Sequence, residues 1–137
     1  MSSISNKVID EAKTLYEHGA EHGEAESMRR TAQLLYEQRK YLKAAYWYEK
    51  LAEQGDFDAM YSLVDAYDKA GDKENAYMWC QIIKLFGKEK EYRYYHDGHS
   101  PEPYLAEYQR KPLDIKAQKK FSEIKERNEN IRSESYA

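Results

Sequence analysis

Between Ala44 and Gly87, small, aromatic and aliphatic positions recur in one order twice over. Ala44, Trp47, Leu51 and Gly55 are followed 32 residues later by Ala76, Trp79, Ile83 and Gly87. The same interval taken backwards meets Ala12, Leu15, Gly19 and Gly23. There the run Tyr16-Glu17, Ala20-Glu21, Gly23 matches Tyr48-Glu49, Ala52-Glu53, Gly55. A constant period of this size marks supersecondary units that cannot bury an apolar face singly and therefore stack.

Within each unit the apolar residues fall three and four apart, the spacing that gathers one face of a helix. It predicts helices over about 6–22 (Val8, Ile9, Ala12, Leu15, Tyr16 and Ala20 on one face), 24–38 (Met28, Ala32, Leu35), 41–54 (Ala44, Trp47, Tyr48, Leu51, Ala52), 58–70 (Met60, Leu63, Val64, Tyr67) and 75–86 (Ala76, Trp79, Ile82, Ile83). Glycines at 19, 23, 55, 71 and 87 loosen or end them. The links are so short that neighbouring helices are expected to pack antiparallel. Ala44 and Ala76, one turn before a Trp, let a neighbouring helix approach while the indole fills the space beside it.

After Gly87 the pattern restarts, with Tyr92 and Tyr95 at the places of Met60 and Leu63, and then fails in the Gly- and Pro-containing stretch His96–Pro103. A short helix is expected over about 104–109. Pro112 and Asp114 then announce a terminal helix over about 115–130, with Ala117, Phe121 and Ile124 on one face and Lys or Glu around the rest. The expected fold is thus all-α: an α-solenoid of about two and a half 32-residue helix pairs, with a C-terminal capping helix over the last repeat. Residues 1–137 read as one domain, with repeats over 12–87, a broken repeat and loop over 88–112, and a helix and tail over 113–137. The rival for the terminal helix is a detachable element that docks a partner.

Composition narrows the function classes. The 22 basic and 25 acidic side chains nearly cancel, so the net charge of -3 gives no large field for gripping nucleic acid or an anionic membrane. Fourteen tyrosines and two tryptophans supply buried area, which lets a chain of mean hydropathy -1.05 form a core. The opening MSSISNKVIDEAK has no apolar run of signal-peptide length, and no stretch approaches the roughly 18 apolar residues of a membrane span. Cys80 is the single cysteine. A cytoplasmic, reducing location is the expectation.

The arrangement Ala44-x-x-Trp47-Tyr48-x-x-Leu51-Ala52-Glu53-Gln54-Gly55, followed by Ala59-x-x-x-Leu63-x-x-x-Tyr67-x-x-x-Gly71, resembles the Sel1-like repeat, a cousin of the tetratricopeptide repeat. The run LAEQGD followed by Ala59 is its most telling part. The resemblance spans about 12–87. Between paired helices only Arg39-Lys40 and Gly71-Asp72-Lys73-Glu74 remain where the Sel1 family carries a longer insert, so each unit is closer to a tetratricopeptide repeat in length. What the resemblance implies is an α-solenoid that binds another protein and carries no chemistry of its own.

In such arrays the first helix of each pair lines the concave side. The 32-residue register sets Arg29, Gln33 and Tyr36 in line with Tyr61, Asp65 and Asp68, each triplet opposite its helix's apolar set. With Asp58, the second stripe is acidic and aromatic, suited to an Arg- or Lys-bearing partner; the plainer alternative is a solvated helix face. Residues 41–110 hold 9 basic and 13 acidic side chains, whereas 111–137 hold 7 and 5. The basic tail folding over the acidic middle is therefore an alternative internal partner.

Chemistry is weakly signalled. His18 and His22 stand four apart on a helix, a chelating spacing, but a third ligand is missing. His96 and His99, with Asp97, offer metal ligation or acid/base work in the Gly/Pro loop, which reads more simply as a polar loop. Cys80 takes the place of Tyr48 and reads as a small, partly buried apolar group. There is no phosphate loop, nucleophile elbow or paired-cysteine motif. The expectation is a non-enzymatic binding protein without cofactor or metal, acting on a partner protein, with a toxin-neutralising immunity or inhibitor role as one form. The alternatives are a metal-dependent or hydrolytic enzyme using the His96–His99 loop, and a homo-oligomeric adaptor that hides its incomplete third repeat against a copy of itself.

Overall fold

A computed structural model describes residues 3–95 and 103–136. Those residues form seven helices and no strand: α1 Ser3–Glu21, α2 Ala25–Glu37, α3 Tyr41–Glu53, α4 Phe57–Ala70, α5 Lys73–Leu85, α6 Glu89–Tyr95 and α7 Glu107–Tyr136. Each of the first four packs on the next, α6 touches α5 lightly, and α7 returns to lie against α5. No helix among the described residues is long and apolar enough to cross a membrane.

The backbone repeats twice as often as the sequence does. Left-handed residues with positive φ occur at Gly23, Arg39, Gly55, Gly71 and Gly87, every sixteenth position. At each, the following amide closes the helix onto a carbonyl five residues back: Glu24 to Gly19, Lys40 to Leu35, Asp56 to Leu51, Asp72 to Tyr67 and Lys88 to Ile83, at 2.8 to 3.3 Å. This is the Schellman closure, which satisfies the last carbonyls of a helix only if the next residue turns left-handed. Four of the five sites are glycine, which takes that conformation without a Cβ penalty, and Arg39 alone bears a side chain there. After two of these turns an aspartate caps the next helix. Asp56 accepts from the Ala59 amide at 3.0 Å and Asp72 from the Asn75 amide at 3.1 Å.

The apolar sets predicted for α2, α4 and α5 are buried throughout, and Ala44 and Ala76 are wholly enclosed, as close helix approach requires. The position shared by Leu15, Trp47 and Trp79 is not uniform. Leu15 is 72% exposed, Trp47 is half-buried and Trp79 is fully buried. The spacing predicted equivalent surroundings for Trp47 and Trp79, and the structure makes them different. Their environments differ because Trp79 lies beneath the side chain of Lys120 from α7, whereas Trp47 borders an open groove beside α1.

The C-terminal region departs from expectation. A short helix over 104–109 and a separate one over 115–130 were predicted; instead one 30-residue helix runs through Pro112. The proline falls in its second turn, so the missing amide forfeits a single bond near the end where the first amides have no intrahelical partner. Gln109 reinforces the start by accepting from the Ala106 amide at 3.1 Å, the reciprocal half of a capping box. Leu113, Ala117 and Ile124 are buried along one stripe with Phe121 beside them, on an otherwise charged helix.

Candidate binding face and the docking of the last helix

The residues assigned to the partner-binding stripe lie on α2 and α4, and four of them are engaged within the fold. The Arg29 guanidinium pairs with Asp56, the cap of α4. The Tyr36 hydroxyl donates to Asp65, and burial, with that bond and the Asp65 charge, raises its pKa above the ordinary phenol range. Tyr61 is only 4% exposed, its ring 5.7 Å from that of Tyr92 on α6. Burial first, then the charges of Glu91 and Asp58, push its phenol up to about 12. Gln33, Asp58 and Asp68 are exposed. The stripe therefore divides into residues that stitch α2 to α4 and α6, and polar groups that face solvent.

Between the starts of α4 and α6 lies a cleft of about 910 Å³. Phe57, Asp58 and Tyr61 form one wall, and Lys88, Lys90 and Glu91 the other. Lys88 Nζ sits 4.9 Å from the centre of the Phe57 ring, a cation–π contact that leaves its charge near the mouth. The apolar pattern fails after Gly87 and so gives no sign of the second wall. Extending the 32-residue register past Gly87 sets Lys88 at the place of Asp56 and Lys90 at that of Asp58. The sign of charge reverses, and an acidic groove becomes a cleft of mixed charge.

A second cluster holds α7 in place. Lys120 Nζ lies 3.1 Å from Glu49 and 3.2 Å from Glu53, both on α3, and 5.3 Å from the centre of the Trp79 ring on α5. Burial pulls its pKa down, but bonding to Glu49, its charge and the same from Glu53 outweigh that and raise it. Farther along, Phe57 meets Phe86 at 5.3 Å and Phe86 meets Phe121 at 4.7 Å, both edge to face. The Tyr77 hydroxyl donates to Asp114 at 2.8 Å. Asn128 rests against Gly55, where a Cβ would come within 2.7 Å of its amide nitrogen. The folding of the basic tail over the acidic middle, raised from the charge distribution, takes this form: α7 lies on α5 and reaches back to α3.

Of the groups considered for chemistry, His18 and His22 stand together on α1. His22 Nδ1 contacts the His18 carbonyl at 2.8 Å, and the two rings lie tilted with their centres 4.4 Å apart. Cys80 is buried, with its sulfur 3.8 Å from the Tyr92 hydroxyl. Burial and the neighbouring Cys80 raise the Tyr92 phenol well above its ordinary range. His96, Asp97 and His99 lie outside the described residues. Among the described residues no three His, Cys, Asp or Glu side chains gather as a metal site. The chain matches no family model, no curated protein and no solved structure.

Proposed function

We propose that this chain is a helical-repeat binding protein of the α-solenoid, Sel1-like kind, its helices paired antiparallel, and that it acts by holding a segment of another protein. The observation that carries the reading is the α4–α6 cleft. Its volume lies within the roughly 300–1,000 Å³ of ligand pockets. Its aromatic floor and opposed charges suit a peptide segment that offers an apolar side chain beside both a cation and an anion. The exposed acids Asp58 and Asp68 extend the contact surface toward a basic region of the partner. An inhibitor that neutralises a toxin would use this face to cover the toxin's basic surface.

Cross-linking and capture from cells that make the protein test this reading, comparing the wild type with Asp58→Lys, Asp68→Lys and the double variant. Both side chains are exposed, so the helical circular dichroism should be retained. The expected result is a partner captured by the wild type, released by salt, and lost in the double variant. A partner captured equally by all four proteins would place the binding face elsewhere.

A further inference from the structure

The geometry points to a second docking groove, between α1 and α3, that accepts an amphipathic helix of another protein with the charge order of α7: an acid, then a lysine six residues on, flanking an apolar stripe. The chain itself displays the precedent. Glu49 and Glu53 on α3 lie beside Trp79 on α5, and α7 bridges them with Lys120 while Asp114 engages Tyr77 near the start of α5. One period earlier in the sequence, Glu17 and Glu21 on α1 and Trp47 on α3 take the corresponding places. These three residues line one groove of about 200 Å³.

Charge and exposure argue for the same occupant. The groove is dipolar: Lys13, Lys40 and Lys43 also line it, and the nearness of Lys13, with lesser pressure from burial and Lys43, lowers the pKa of Lys40. Glu17 stands 3.8 Å from Lys13 and already offsets part of this crowding, which leaves Lys40 and Lys43 to favour a further anion. By the period, Lys40 and Lys43 take the places of Asp72 and Asn75 at the start of α5, the end that Asp114 approaches. A helix laid in the groove as α7 lies in its own would bring its acid to the lysines and its lysine to Glu17 and Glu21. The edge of α3 is also open where the next repeat is closed. Tyr46 is 55% exposed, whereas Met78 at the equivalent position is 7% exposed. Leu42, one turn before Tyr46, is 60% exposed. Because this groove lies on different helices from the α4–α6 cleft, the inference does not depend on that cleft binding anything.

A fluorescent synthetic peptide with the sequence of residues 107–129, added to the full-length chain, tests it by anisotropy. In the intact protein α7 already covers the α3–α5 groove, so the peptide reports on its equivalent. Saturable one-to-one binding with a Kd on the order of 10 μM is expected. It should weaken about tenfold with Glu17→Lys plus Glu21→Lys, and comparably when the peptide carries Lys120→Glu. The milder pair Glu17→Gln plus Glu21→Gln, expected to weaken binding a few-fold, serves if the charge reversals disturb folding. Asp58→Lys with Asp68→Lys should leave peptide binding unchanged. Two results overturn the proposal: no saturation up to about 1 mM, or binding indifferent to Glu17 and Glu21 but abolished by Glu49→Lys with Glu53→Lys. The latter would mean that the peptide merely displaces the protein's own α7.

Discussion

Lys120 and Glu49, 71 residues apart in the chain, meet at 3.1 Å, and this contact ties the last helix to the third. Glu53 completes the bridge at 3.2 Å, and the ammonium of Lys120 lies over the Trp79 ring. Replacing Lys120 by Met keeps the stem and leaves two neighbouring carboxylates without their cation. The three groups are between 25% and 36% exposed, so solvent screening limits the loss to about 1 kcal/mol. Urea denaturation measures it. Hydrogen exchange should show faster opening of α7 than of α4. Adding Glu49→Gln and Glu53→Gln to Lys120→Met should recover most of the loss, because no unpaired charge then remains. A triple variant less stable than the single one would contradict this account of the bridge.

Arg39 holds a left-handed conformation, φ 62°, at a place where the other four turns have glycine. Arg39→Gly should raise stability by about 0.5–1 kcal/mol, since relief of the left-handed Cβ penalty exceeds the extra freedom that glycine gives the unfolded chain. Thermal melting of the two proteins decides it, and a lower midpoint for the glycine variant would count against the strain argument.

Thr31 is 1% exposed, and among the described residues its hydroxyl has no hydrogen-bond partner. Thr31→Val keeps the shape and removes the desolvated oxygen, which should gain about 1 kcal/mol. A loss of similar size in chemical denaturation would show that the hydroxyl is satisfied in solution.

Alkaline pH should destabilise the fold. The phenols of Tyr36, Tyr61, Tyr67 and Tyr92 are all raised, mainly by burial, Tyr61 to about 12. Lys120 is raised as well, bonding to Glu49 and Glu53 overcoming its burial. For every one of these groups the folded state holds its proton more tightly than the unfolded state. Their contribution is therefore complete below the unfolded values, near pH 10, and declines as pH rises toward the folded ones. Melting midpoints should be flat between about pH 7 and 9 with respect to these groups and fall steeply above about pH 10. Absorbance near 295 nm, which reports tyrosinate, should show some phenols ionising only as helicity is lost. Free titration of all tyrosines near pH 10 in a still-helical protein would refute the burial assigned to them.

Much of the fold was legible because its determinants are local. The spacing of Met28, Ala32 and Leu35 makes a helix with one apolar face whatever surrounds it, and Gly55, Gly71 and Gly87 announce their turns through backbone freedom that other residues lack. The sixteen-residue backbone period was hidden by Arg39, since a search for glycine passes over the one turn that does without it. The single helix through Pro112 was hidden for a related reason: a proline's cost depends on how many turns precede it, and that start is set by Ala106 and Gln109.

The candidate binding face was legible only in part. Periodicity aligned Arg29, Tyr36, Tyr61 and Asp65, but side chains that share a face compete for one another as readily as for a partner. Distances in space decided that Tyr36 bonds Asp65 and that Tyr61 packs under Tyr92. By itself, then, the sequence determined the first five helices, their glycine turns and the apolar stripes of α2, α4 and α5, because these follow from interactions within a few residues. Only the tertiary structure decided that α7 lies on α5 and reaches α3, that Trp79 is enclosed while Trp47 stays open, and that lysines face acids across the α4–α6 cleft. Each of these is a contact between segments far apart in the chain, and such pairing depends on distance in three dimensions, which residue spacing does not encode.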